Sequence, residues 1–404
     1  MDGAFQAVRV SEHVFWVGAL DWALRDFHGY ATSRGTTYNA YLILSDPVTL
    51  IDTVKAPYTG EMLARIASVV DPRQIRLIVS NHSEMDHTGG LPEVIAQLRP
   101  EKVLASAQGR EALARHFHWD QAVEVASDGQ VYELGDLHLR FLETPMLHWP
   151  DSMFTLLVED EVLFSNDAFG MHLAGGVRFT DQVAPEIWRY EAAKYYANIL
   201  MPLSSVVSKL LNRAAELKLS PRIIAPDHGP IWRRHPENIV RLYAEWAQQA
   251  PTHKAVLVYD TMWQSTAMMA RAIGEGLAAG GLEVVHMPLA GAHRSDVATE
   301  VLEAGALIVG SPTINNQIFP SLADVLTYLK GLRPKNLVGT AFGSYGWSGQ
   351  AVALLEAQLR EMKVELAGEG LRLQYVPDAE GLSKCRAAGA RVAETLSARL
   401  AASA

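Results

Sequence analysis

Ile75-Arg76-Leu77-Ile78-Val79-Ser80-Asn81-His82-Ser83-Glu84-Met85-Asp86-His87-Thr88-Gly89-Gly90 decides how this chain is read. Residues 75–80 read as an apolar strand, and the next segment carries four side chains of metal-ligating type within six positions. A helix opens near Leu91. On the intervening loop the alternate residues His82, Glu84 and Asp86 are expected to converge while His87 points elsewhere, so that one segment serves two ions.

Two octahedral or five-coordinate ions need more ligands than this segment offers. Three further strand ends supply them. His148 stands in Pro145-Met146-Leu147-His148-Trp149-Pro150, after a strand ending near Glu143. Asp167 follows Val162-Leu163-Phe164-Ser165-Asn166, and His228 follows Arg222-Ile223-Ile224-Ala225-Pro226-Asp227. Each lies just past an apolar strand, where a site at one sheet edge collects them. A carboxylate such as Asp167 can bridge two cations with its two oxygens, which a histidine cannot do. The single cysteine, Cys385, excludes an intrachain disulfide and a cysteine-held cluster, so any metal sits on nitrogen and oxygen, and the chain offers 14 histidines.

At 404 residues two domains are expected. The balance of 49% hydrophobic and 20% charged residues is that of a globular protein and excludes extensive disorder. A net charge of -10 without a Lys/Arg cluster argues against nucleic acid as partner. Met1 to Val10 lacks a basic stretch followed by an apolar run, and no apolar run is long enough to span a membrane, so a cytoplasmic location is expected.

The first domain, residues 1–250, mixes strands and helices as a layered α/β sandwich. Asn39 to Leu44 and Val48 to Asp52 form a hairpin around Ser45-Asp46-Pro47, followed by strands Leu137 to Leu142, Met153 to Val158 and Val162 to Ser165. Helical patterns cover Glu61 to Val69, Pro92 to Leu98, the long stretch Pro185 to Leu217, and Glu237 to Gln249. After the linker Ala250-Pro251-Thr252-His253, residues 254–404 alternate strictly: strands start at Lys254, Leu282, Ala306, Asn336 and Leu371, with helices between them and at the end. Five strands alternating with helices predict a doubly wound parallel sheet, which binds ligands at its C-terminal strand ends.

Those loops are chemically distinctive. The first, Asp260-Thr261-Met262-Trp263-Gln264-Ser265-Thr266, lacks a dinucleotide glycine fingerprint; its hydroxyls and helix N-terminus suit a phosphomonoester. The second runs Gly310-Ser311-Pro312-Thr313-Ile314-Asn315-Asn316, and the third Ala341-Phe342-Gly343-Ser344-Tyr345-Gly346-Trp347-Ser348-Gly349. The second offers small residues and amides to a polar ring edge, and the third aromatics and glycines to a planar one.

His82-Ser83-Glu84-Met85-Asp86-His87 resembles the His-x-[His/Glu]-x-Asp-His motif of the metallo-β-lactamase fold, and its Glu variant resembles the flavodiiron proteins. The three loops after residue 254 resemble those of a flavodoxin-like domain binding FMN. The resemblance covers nearly the whole chain. It implies a metallo-β-lactamase-like αββα sandwich followed by a flavodoxin-like five-stranded sheet. By motif, the first iron takes His82, Glu84 and His148, the second Asp86, His87 and His228, and Asp167 bridges. Zinc hydrolases of this fold usually carry His where Glu84 stands; a carboxylate hardens the site and favours iron.

The resemblance further implies a reductase of O2 to water, of NO to N2O, or of both. Its electrons reach the two irons through FMN from a separate donor, a rubredoxin foremost, since rubredoxin-like cysteine pairs are lacking. A head-to-tail homodimer or a dimer of dimers is expected. His172, Tyr195 and Tyr196 are candidates to donate protons or hydrogen bonds to bound gas. The rival readings are a zinc hydrolase with a flavodoxin-like appendage, which Glu84 opposes, and a flavin carrier with a vestigial metal site, which the complete ligand set opposes.

Overall fold

A computed structural model describes residues 4–403; residues 1–3 and 404, which the expected domain limits include, lie outside the described residues. The chain forms two compact units. One takes in the chain up to His28, Thr32–Tyr195 and Ser205–Ala244; the other takes in Gly29–Ala31, Tyr196–Ser204 and the chain from Glu245.

The first unit is built on two sheets. The larger runs in the order Val8–Arg9, Val14–Trp16, Tyr41–Ile43, Val48–Ile51, Ile75–Ser80, Lys102–Ala105, Glu124–Val125. Its first four strands pair antiparallel and the rest parallel. The smaller sheet runs Val131–Leu134, Leu137–Glu143, Met153–Leu157, Val162–Phe164, Ile223–Ala225.

Strand Ile75–Ser80 is apolar apart from the exposed Arg76 because both of its faces are covered. Leu77 and Val79 point into the core between the sheets, beside Phe141, Met153, Phe164 and Ala225. Ile75 and Ile78 point the other way, onto Met62, Ile66, Leu91 and Val94 of helices Thr59–Ala67 and Leu91–Leu98. On the outer face of the smaller sheet, Leu210, Leu211 and Val240 of helices Ser204–Glu216 and Glu237–Gln248 lie against Leu142, Phe154, Leu163 and Ile224. Each fully buried Leu, Val, Ile or Phe contributes roughly 1.5–3 kcal/mol. The layers are helix, sheet, sheet, helix.

In the second unit the parallel sheet runs Glu283–Pro288, Lys254–Tyr259, Ala306–Gly310, Val338–Tyr345. Helices Ser265–Ala279 and Ala379–Ser403 bury Ile273, Leu277, Val392 and Leu396 against one face. The fifth strand comes in two pieces, Glu365–Leu366 and Leu371–Gln374, both paired with Val338–Tyr345. Gly368 between them has φ +104°, a conformation that ends a strand and that only glycine adopts freely.

Two differences from the sequence reading have clear causes. The stretch expected as one helix from Pro185 to Leu217 is broken into Pro185–Tyr195, a wide turn Tyr196–Leu200, a tight turn Met201–Leu203, and Ser204–Glu216. Pro202 has no N–H to continue the helical ladder. Strand Lys102–Ala105 and helix Ala107–Phe117 were not singled out by periodicity. Among the described residues no helix is long and apolar enough to cross a membrane.

Candidate metal centre and flavin pocket

The metal-ligating segment is fixed at its root by Asn81. Its backbone N–H (2.7 Å) and side chain amide (2.7 Å) donate to the buried Asp52, and its carbonyl oxygens accept from Thr155 Oγ1 (2.6 Å) and Met153 N (3.0 Å). The loop leaving the larger sheet is thereby tied to the smaller one. A single helical turn, Met85–Thr88, then redirects the chain, held by Thr88 Oγ1 donating to the carbonyls of Ser83 and Glu84, each at 2.9 Å. This turn overrides simple alternation. Asp86 does not converge with His82 and Glu84; it swings to the side of His87.

Two adjoining groups result. In one, His82, Glu84, His148 and Asp167 gather; in the other, Asp86, His87 and His228, with ligand atoms of each group within 4.8 Å of one another. Asp167 serves both. Its Oδ2 lies 2.9 Å from His148 Nε2 and 3.4 Å from His82 Nε2, while its Oδ1 lies 3.1 Å from His87 Nε2 and 3.4 Å from His228 Nε2. Glu84 Oε2 faces His82 at 3.4 Å and His148 at 3.3 Å; Asp86 faces His87 at 3.4 Å and His228 at 3.2 Å.

For Glu84, His82 and Asp167 burial opposes charge and the neighbours outweigh it. Burial raises the Glu84 carboxyl, but the His148 and His82 imidazoles bring it down to about 2. Burial lowers His82, but hydrogen bonds to Asp151 and Glu84 hold it up at about 10. Asp167 is likewise held well below the carboxylate range, burial notwithstanding, by His87 and His148. The donor set fits two cations. Three carboxylates and four imidazole nitrogens converge in the interior, and both oxygens of Asp86, Oδ1 of Asp167 and Nε2 of His87 make no hydrogen bond. Buried atoms of this kind are costly unless an ion compensates them.

The imidazoles are backed from behind. His82 Nδ1 lies 3.1 Å from Asp151 Oδ2, which also accepts from Ser83 N at 2.6 Å. His87 Nδ1 lies 3.5 Å from the fully buried Asp227, and His228 Nδ1 donates to the Thr37 carbonyl at 2.6 Å. Asp151 and the Thr37 carbonyl fix which nitrogen of His82 and of His228 faces the metal, whereas His87 Nδ1 makes no hydrogen bond. Sequence reasoning missed Asp151 and Asp227. Neither has a spacing signal, although each adjoins a segment already singled out.

Of the three candidate donors the structure brings two to the centre. His172 is buried with its ring 4.7 Å from that of His228 and 5.1 Å from that of Tyr195, and its Nδ1 lies 2.8 Å from Thr36 Oγ1. Burial and the nearby His228 push His172 well below the usual imidazole range. Tyr195 reaches within 6.2 Å of His228, ring to ring. Tyr196 departs from this expectation: it begins the wide turn, belongs to the other unit, and places its hydroxyl 3.2 Å from Ser204 Oγ. Phe27, 4.8 Å from His172, and the exposed His28, whose Nε2 is 3.6 Å from Glu84 Oε1, also stand here without a sequence signal.

In the second unit a cavity of about 540 Å³ opens at the C-terminal strand ends. Met262, Trp263, Ser265, Pro312, Thr313, Asn315, Asn316, Ser344, Tyr345, Gly346, Trp347 and Ser348 line it, as the loops predict. Tyr375 and Val376, beyond the last strand, complete the rim and were missed. Six candidates do not line it. Thr266 Oγ1 pairs with Ser344 Oγ at 2.8 Å, and Ile314 bridges to Gln317. Gly343 lies within the sheet, where a Cβ would meet the Ser311 carbonyl at 2.0 Å, and Gly349 packs on the Tyr345 ring. Gln264 turns the chain into the helix with φ +69°. Thr261 has a buried hydroxyl that makes no hydrogen bond, an atom that a bound phosphate would satisfy.

These two sites on these two folds define a class: a metallo-β-lactamase-like domain with a two-metal centre, followed by a flavodoxin domain. Residues 36–229 match the ODP family beta lactamase and residues 257–389 match flavodoxin. The chain is 46% identical over 392 residues to a nitric oxide reductase of Moorella thermoacetica, covering 96% of this chain and 98% of the relative. The solved rubredoxin oxygen:oxidoreductase of Desulfovibrio gigas superposes with TM-score 0.96 at 42% identity, over 98% of this chain and all (100%) of that one. The flavodiiron protein of Giardia intestinalis gives TM-score 0.95 at 32% identity, with 98% of each chain covered. The chain belongs to the flavodiiron protein family.

Proposed function

We propose that this chain is an oxidoreductase that reduces O2 to water, NO to N2O, or both, at a non-haem diiron centre, taking electrons through FMN from a rubredoxin-type donor. The observation that carries the reading is Asp167, whose two oxygens each face one histidine pair. His82, Glu84 and His148 hold one iron, Asp86, His87 and His228 the other, and Asp167 joins them. When bound, two ferrous ions and a reduced flavin supply together the four electrons that one O2 requires.

The protein's own part is positioning. Asp151 and the Thr37 carbonyl hold His82 and His228 with Nε2 forward. His172 and Tyr195 wall the His228 side with groups able to donate hydrogen bonds to the reacting gas. Around the flavin, Thr261, Ser265 and the helix N-terminus take the phosphate, and Trp263, Tyr345 and Trp347 flank the ring. The domains are assigned as residues 1–250 and 254–404, the location as cytoplasmic, and the assembly as a head-to-tail homodimer or a dimer of dimers.

The test is anaerobic. Iron, zinc and flavin are quantified per chain, the protein is reduced, and reoxidation by O2 and by NO is followed separately. Two irons and one FMN per chain, both reoxidised by at least one gas, are expected. Two zinc ions with hydrolase turnover, or reoxidation of the flavin alone, would overturn the reading.

A further inference from the structure

We infer that the first unit contains a binding site for small apolar gas molecules, a cavity between the smaller sheet and helix Ser204–Glu216 that feeds the metal centre. The cavity measures about 60 Å³, large enough for a diatomic molecule and far too small for an organic substrate. Leu142, Phe154, Leu163 and Ile224 form its sheet side; Leu210 and Ala214 form its helix side.

Its one charged lining residue contributes only an aliphatic stem. The Arg213 guanidinium is engaged elsewhere, with the Glu143 carbonyl at 3.0 Å and the Asp128 carboxylate at 2.7 Å and 2.6 Å. Water needs two to four polar partners to occupy such a space, and the wall offers almost none, whereas an apolar gas gives up no hydrogen bonds on entering.

Position adds the second argument. Phe169, another wall residue, stands two positions after Asp167, and strand Val162–Phe164, which supplies Leu163, leads into Asp167. An open groove of about 340 Å³ adjoins the cavity through the shared Leu210 and Arg213, and its floor includes Met146 and Leu147, directly before His148. Groove and cavity thus border the two segments that carry Asp167 and His148. A gas entering from solvent passes the groove and dwells in the cavity, whose wall includes Phe154 and Phe169 with their rings 6.2 Å apart.

This inference rests on the proposed gas reduction, and the experiment separates the two. Crystals of the full-length holoprotein are pressurised with xenon, and the oxidase and NO reductase kinetics of Ala214→Phe and Leu210→Phe are compared with wild type. A xenon peak between Leu163, Leu210, Ile224 and Phe169 is expected. It should disappear in a filling variant, with a several-fold fall in kcat/KM for the gas, unchanged kcat at saturation, and unchanged iron and FMN content. An active wild type without xenon there, or with ordered water, overturns the inference. So does a filled variant with unaltered kcat/KM. Xenon binding in a protein that reduces neither gas would instead overturn the proposed function. If both filling variants fail to fold, Leu210→Ala, which enlarges the space, should raise xenon occupancy; unchanged occupancy counts against the site.

Discussion

Replacing Asp151 by Asn removes one charge and no volume, at a residue only 3% exposed. Asp151 Oδ2 takes both the Ser83 N–H at 2.6 Å and the His82 Nδ1 proton at 3.1 Å. An asparagine with its carbonyl oxygen at that position accepts both bonds but without the charge. If its amide turns to His82, the ring must accept at Nδ1 and carry its proton on Nε2, the nitrogen that faces Glu84 and Asp167. A hydrogen bond to a charged group contributes about 1.5–3 kcal/mol and a neutral one about 0.5–1.5 kcal/mol, so two bonds lose about 2 kcal/mol together. At 1.4 kcal/mol per tenfold this is roughly a 30-fold weaker hold on iron, within the roughly 10–100-fold range for outer partners of metal ligands. The assay is anaerobic competition with a chromogenic ferrous chelator, with FMN content and melting temperature as controls. Loss should begin with one iron of the two, the one held by His82. An Asn variant that retains both irons as tightly as wild type would refute the reasoning.

Asp167→Ala removes the carboxylate shared by both groups and is expected to empty both metal positions while FMN remains bound; metal analysis showing only one position lost would contradict the bridging role. Gly343→Ala places a methyl against the Ser311 carbonyl between two central strands, an overpacking that costs about 1–3 kcal/mol; urea unfolding and flavin content should both register it, with iron content unchanged. Asp160 ties the N-terminal hairpin by accepting from Ser11 Oγ, His13 N (2.9 Å) and His13 Nδ1 (2.7 Å). Although burial raises its carboxyl, these bonds lower it below the usual range. A depressed folded pKa means that its stabilisation is fully present above the ordinary carboxylate range and is lost as pH falls through the folded value. Asp160→Asn should flatten the acid side of the stability profile; an unchanged profile by chemical denaturation from neutral to acid pH would count against it.

The sequence was most legible where one physical demand dominates. Ile75 and residues 77–79 had to be apolar because both faces of that strand are covered, and ligand types crowd its end because a metal needs them there. The alternating rhythm after residue 254 was equally plain, since a parallel sheet buries every central strand. What alternation got wrong was local. It grouped Asp86 with His82 and Glu84, but the turn Met85–Thr88 advances the chain by helical rather than extended steps, and this turn is too short to show a period. The break near Pro202 was readable in principle from proline alone. Asp151 and Asp227 were not readable, because a lone carboxylate has no period and its role exists only once two distant segments fold together. Tyr375 and Val376 escaped because the extended pattern from Leu371 reads on to Val376, whereas the strand ends at Gln374 and the next two residues turn to the cavity.

Whether two irons and one flavin act as a single reducing unit is decided by counting electrons. The anaerobically reduced protein is titrated with O2 in sub-stoichiometric steps while flavin absorbance, iron oxidation state and peroxide are measured together; NO is titrated in parallel with N2O as the product measured. Flavin and iron are expected to reoxidise together, with four electrons consumed per O2 and no peroxide released, or with N2O formed from NO. Peroxide accumulating with two electrons per O2 while the irons stay ferrous, and no N2O from NO, would contradict it.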